Sequence, residues 1–175
     1  MAVTFTKIAT TTVTSGTPAS IGFSSIPSTY SDLMITQTLR GNRGDLAADG
    51  AYVRFNNDTT AGNYQNRRLI GVGNSGNASA DLGSGYGGGA LPDAALASAN
   101  VFGSGTLYIP DYLNALKKVW FTRGGAGNRG ATNYQMMSNG WWSSTSAINQ
   151  IDLYNEVGTA WIVGSTMTLY GIKRG

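Results

Sequence analysis

Apolar and polar residues alternate with a period of two through most of the chain, and no long run follows a helical period. In residues 32–40, Leu33, Ile35 and Leu39 share one face with Gln37, while Met34, Thr36, Thr38 and Arg40 take the other. Residues 51–56 place Val53 and Phe55 inward before an Asn56-Asn57-Asp58 turn. Residues 64–72 form another strand, in which the neighbours Arg67 and Arg68 must face opposite sides. Residues 3–8, 10–14, 19–23, 105–109, 117–123, 131–142, 147–154 and 160–172 complete about ten short strands. Strands of this length and spacing predict an all-β fold, an antiparallel sandwich of jelly-roll type, with residues 1–175 forming one domain.

Two stretches break the alternation. Residues 71–90 hold eight glycines among Ser, Asn and Asp, and predict a long loop. Residues 92–99 (PDAALASA) predict a short helix with Pro92 at its first position. One further helical turn is expected at Pro110-Asp111-Tyr112.

Composition sharpens this picture. The 25 glycines suit a β-protein with many tight turns, and a charged fraction of 12% is about half the usual value. Interface cores are depleted in charge, so the same composition suits a subunit covered by neighbours. The chain has no His and no Cys, which removes Ser-His-Asp and Cys-His nucleophile systems, disulfides and His- or Cys-based zinc sites. The nine acids fall mostly at turns, where carboxylates cap local backbone N–H groups. No catalytic, cofactor-binding or metal-ligating set emerges, and the expectation is a protein without enzymatic activity or cofactor. The start, MAVTFTKI, does not read as a signal peptide, and no apolar stretch is long enough for a membrane-spanning helix.

Candidate contact residues are of two kinds. Arg40, Arg43, Arg123 and Arg129 sit in or beside two Gly-Asn-Arg-Gly turns, which would form a guanidinium cluster if they shared one end of the sandwich. Lys173 and Arg174 add basic groups beside the last strand. The pairs Trp141-Trp142 and Met136-Met137 each present one side chain outward, and exposed Trp or Met points to a contact surface. The candidate surface is therefore Arg43, Arg129, Trp141, Trp142, Met136, Lys173 and Arg174. The tripeptide Arg43-Gly44-Asp45 is explained by turn chemistry alone. A net charge of +3 is too small to favour nucleic acid.

Several segments, in order, resemble small tailed-bacteriophage virion proteins. Ile26-Pro27-Ser28-Thr29-Tyr30-Ser31-Asp32-Leu33 resembles an I-P-x-T-Y-x-D-L stretch, and Val53-Arg54-Phe55-Asn56-Asn57-Asp58 resembles an R-F-N-x-D turn. Tyr64 with Arg67-Arg68-Leu69, Leu107-Tyr108-Ile109-Pro110-Asp111-Tyr112, and Trp141-Trp142-Ser143 with Ala147-Ile148 continue the series. The run from Ser165 to Ile172, STMTLYGI, closes it. The resemblance implies a β-sandwich structural subunit of the virion, assembled in the host cytoplasm and acting by contact. Its implied partners are copies of itself, as a trimer, and the major capsid protein or other virion proteins. The expectation is a capsid decoration or cement subunit. A tail-fibre or receptor-binding subunit recognising a host glycan is the alternative, and a carbohydrate hydrolase the distant one.

Overall fold

The computed structural model describes residues 3–84, 87–127 and 132–175, and builds them into twelve strands with no helix. The strands are β1 (Thr4–Thr12), β2 (Ser20–Phe23), β3 (Asp32–Leu39), β4 (Ala51–Phe55), β5 (Tyr64–Val72) and β6 (Ser75–Ser84). They continue as β7 (Gly87–Ala90), β8 (Gly103–Ile109), β9 (Lys118–Gly127), β10 (Asn133–Trp142), β11 (Ile151–Asn155) and β12 (Thr166–Lys173). Eight of them form one sheet in the order β1-β12-β3-β8-β9-β10-β5-β6, and four form a second, β2-β11-β4-β7. Every strand pair within the sheets is antiparallel. The expected sandwich is therefore the architecture. The strand order establishes an antiparallel sandwich, not specifically the jelly-roll member of that class.

The core lies where the small sheet covers one face of the large one. Leu33, Ile35 and Leu39 of β3 meet Leu107 and Ile109 of β8 and Met167 and Leu169 of β12 in one buried cluster with Val53 and Phe55 of β4. Gln37 shares that inner face and is buried, as its position in the alternation requires. An aromatic box staples the two layers. Phe55 of the small sheet lies 5.5 Å from the Trp120 ring centre and 5.6 Å from that of Trp142, both on the large sheet. Tyr64 stacks on Trp142 at 6.2 Å, and its hydroxyl accepts the Phe55 N–H at 2.9 Å. The buried indoles are satisfied as well: Trp120 Nε1 donates to the Gly88 carbonyl at 2.9 Å and Trp161 Nε1 to Leu153 at 3.0 Å.

Three elements depart from expectation. Most of the predicted 71–90 loop is strand, since β5 returns as β6 through the two-residue turn Gly73-Asn74, with Gly73 at φ 55°. Backbone pairing with β5 holds β6 in place, and its residues from Ser75 to Ala80 are exposed. The helix over residues 92–99 does not form. Instead Asp93 makes isolated bridges to Arg40 and Ala48, and the chain wraps the Arg40 guanidinium. Arg40 Nη1 donates to the Ser98 and Val101 carbonyls at 2.9 and 2.7 Å, and Nη2 to Ala95 and Ala97 at 3.3 and 3.0 Å. Charge-assisted bonds to four carbonyls outweigh the few i→i+4 bonds a two-turn helix would make. Pro110-Asp111-Tyr112 likewise forms a turn, with Asp111 at φ 49°.

Candidate functional site: the open face of the large sheet

The small sheet covers one face of the eight strands; the other face carries apolar side chains with no protein over them among the described residues. Phe5, Leu69, Val119, Phe121 and Met137 all lie on this open side, with Leu69 62%, Phe121 51% and Met137 66% exposed. Alternation makes this outcome unavoidable: on β9, Trp120 and Thr122 turn inward, so Val119, Phe121 and Arg123 must turn outward.

Strand register arranges the open face in rows. In one row Thr10, Thr168, Thr36 and Thr106 succeed one another across β1, β12, β3 and β8, and Arg123, Met137 and Leu69 carry it on across β9, β10 and β5. The next row towards one end is polar: Thr12, Thr166, Thr38, Ser104, then Gln135. The row on the other side is aromatic and basic: Lys7, Tyr170, Met34, Tyr108, Phe121, Asn139 and Arg67. The face is thus divided. A hydroxyl-rich part holds the Thr10–Thr168 and Thr12–Thr166 side-chain pairs, each at 3.0 Å. An apolar part forms a groove of about 870 Å³ between Phe5 and Leu69.

The expected contact residues scatter. Trp142 and Met136 point inward and are buried, Trp142 in the aromatic box and Met136 against Ala48, Leu91 and Ala126. Neither is available as a contact, and the outward members of the pairs are Trp141 and Met137. Trp141 lies on the open side, with Lys117 Nζ 4.6 Å from its ring centre. Arg43 is occupied by carboxylates, at 2.7 Å from Asp45 and 3.4 Å from Asp49, so the Arg43-Gly44-Asp45 tripeptide is closed on itself. Arg174 is held by Asp32 and by Asp111, the latter at 3.0 Å. Lys173 is exposed at the end of β12, 5.9 Å from the Tyr30 ring centre. Arg129 lies outside the described residues. The proposed guanidinium cluster does not assemble from the other three: Arg40 is buried under residues 95–101, Arg43 sits among acids, and Arg123 stands on the open face.

Asp58, Asp32 and Glu156 are tied into the scaffold. Asp58 Oδ2 accepts Trp142 Nε1 at 2.6 Å and Asn63 Nδ2 at 2.7 Å, and its Oδ1 accepts the Thr60 N–H at 2.8 Å. Burial opposes ionisation there, but these bonds outweigh it and hold the carboxyl at about 2. Asp32 balances burial against Arg174, the Asp111 N–H and the Tyr108 hydroxyl, and is also lowered. Glu156 pairs with Arg68 at 3.1 Å. Among the described residues, no group of three or more His, Cys, Asp or Glu side chains could hold a metal ion. Comparison with known proteins returned no matching family model, no matching curated protein and no matching solved structure.

Proposed function

We propose that the protein is a structural subunit of a tailed-phage virion, a capsid decoration or cement protein that stabilises the shell by protein–protein contact. The observation that carries this reading is the uncovered face of the large sheet, where Leu69, Phe121 and Met137 stand more than half exposed. Exposed apolar area of this extent, rimmed by polar residues, marks interaction surfaces. The ordered segment resemblance supports the virion setting, and low charge supports a subunit surrounded by neighbours. Assembly as a closed homotrimer alongside the major capsid protein belongs to the same proposal.

Particles with and without this protein provide the test. Particles carrying it should survive heating or osmotic shock that bursts bare ones. Equal survival would remove the cement role. A second reading, a receptor-binding tail subunit, draws on the hydroxyl-rich part of the face, where Thr36, Thr38, Ser104, Thr166 and Gln135 line a groove of about 650 Å³ suited to a glycan. Binding of isolated protein to host polysaccharide, with unchanged particle resistance, would select that reading.

A further inference from the structure

We propose that the apolar half of the open face docks an acidic, extended segment of a partner protein, with the pattern acid-x-apolar-x-acid. The proposal deepens the contact function above and rests on it for the statement that this face is the contact surface. Its chemistry comes from how the charges are sorted.

Most acids with a cationic neighbour lie away from the face. Asp45 and Asp49 hold Arg43, and Glu156 holds Arg68. Asp32 reaches the outer register at the start of β3, but Arg174 and the Tyr108 hydroxyl occupy it. Four cations on the open side, Lys7, Arg67, Lys117 and Arg123, have no ion pair among the described residues. Such a face presents positive charge around an apolar centre. A second copy of this chain would bring the same cations against it, so face-to-face self-association is opposed by like charge.

The spacing narrows the occupant. Arg123, Met137 and Leu69 are consecutive in one row, and Phe121, Asn139 and Arg67 in the next. The two arginines therefore stand at opposite corners of a block three strands wide and one side-chain repeat deep. Strands about 4.8 Å apart and same-face neighbours about 6.7 Å apart put those corners roughly 12 Å from each other. Side chains i and i+4 of an extended chain share one face and lie about 13 Å apart. Carboxylates at i and i+4 can meet the two guanidinium groups while an apolar side chain at i+2 rests between Phe121, Met137 and Leu69. Arginine suits this role because its fork pairs with carboxylates bidentately.

The area suits a short segment. Eight strands over roughly seven residues give a face of roughly 900 Å², so its apolar half offers about 450 Å², less than the roughly 800 Å² per partner of a standard domain interface and on the scale of a short extended segment. Single-stranded nucleic acid fits less well, because successive bases need aromatic platforms and the centre between the arginines is partly aliphatic.

The test uses the whole chain and a fluorescein-labelled peptide of alternating Glu-Thr-Leu-Thr repeats, alongside versions with Gln or Lys replacing every Glu, and a twelve-residue oligothymidylate. The Glu peptide should bind at least tenfold more tightly than the Gln peptide, a difference that shrinks from 50 mM to 500 mM salt. The double variant Arg67→Glu, Arg123→Glu should lose that binding and take up the Lys peptide instead. Both side chains are exposed, so the variant should fold as the parent does. Equal binding of Glu and Gln peptides, or an unaffected double variant, would overturn the proposal. Preference for the oligothymidylate would assign the face to nucleic acid, and self-association lost in the double variant would assign it to a second copy. Particle retention is measured separately, so a peptide failure with face-dependent retention overturns the acidic segment alone.

Discussion

At single positions, the packing between the sheets is set by what glycine omits. Gly140 of β10 faces inward beneath Trp120, and a β-carbon there would overlap the indole ring and the Gln65 carbonyl. Gly140→Ala should therefore lower stability by about 2–3 kcal/mol, seen as an earlier denaturant midpoint. An unchanged midpoint would mean that the aromatic box tolerates displacement. Asp58 supplies the clearest pH dependence. Its folded pKa of about 2 lies below its unfolded value, so its stabilisation is complete above about pH 4 and is lost as pH falls towards 2. With a discount for partial exposure, the contribution is on the order of 1–2 kcal/mol. Asp58→Asn should remove that part of the acid sensitivity, and stability curves of parent and variant should converge as pH drops from 4 to 2. Parallel curves across that window would contradict the assignment.

Among the elements, the segment after β7 depends on one side chain just past the end of β3. Arg40 gathers four carbonyls of residues 95–101, and the loop has little apolar packing of its own beyond Leu91, Ala94 and Ala97. Arg40→Ala should cost about 3 kcal/mol, and Arg40→Lys should recover only part, because an ammonium lacks the planar fork. Amide exchange localised to residues 92–101 would be the matching signature, and uniform exchange across the chain would oppose it. Strands with Val, Ile, Leu or Phe alternating against Thr were legible, because period two fixes both the element and its faces. The strands β6 and β7 were not, since Ser, Gly, Asn and Ala carry no such contrast and their order comes from neighbouring backbones. Arg40 has the parity of Met34, Thr36 and Thr38, which would send it to the open face; the strand ends at Leu39 and it turns inward instead. The contact surface was only half legible. Alternation required one outward member in Trp141-Trp142 and in Met136-Met137, but which one depends on pairing with β5 and β9. No local signal joins Phe121, Met137 and Leu69, which come from three strands and meet only through register.

For the whole molecule, a sandwich of eight strands against four buries one face of the large sheet and, among the described residues, leaves the other open. The central claim is that this open face holds the protein to its assembly. It is tested most directly by replacing Phe121 and Met137 together with Asp and counting copies retained on purified particles. Both side chains are more than half exposed, so the variant should keep the parent's far-ultraviolet spectrum. The account predicts at least a tenfold loss of retained copies, the scale expected when the apolar centre of an interface is destroyed. A folded variant that still decorates particles in full number would contradict it.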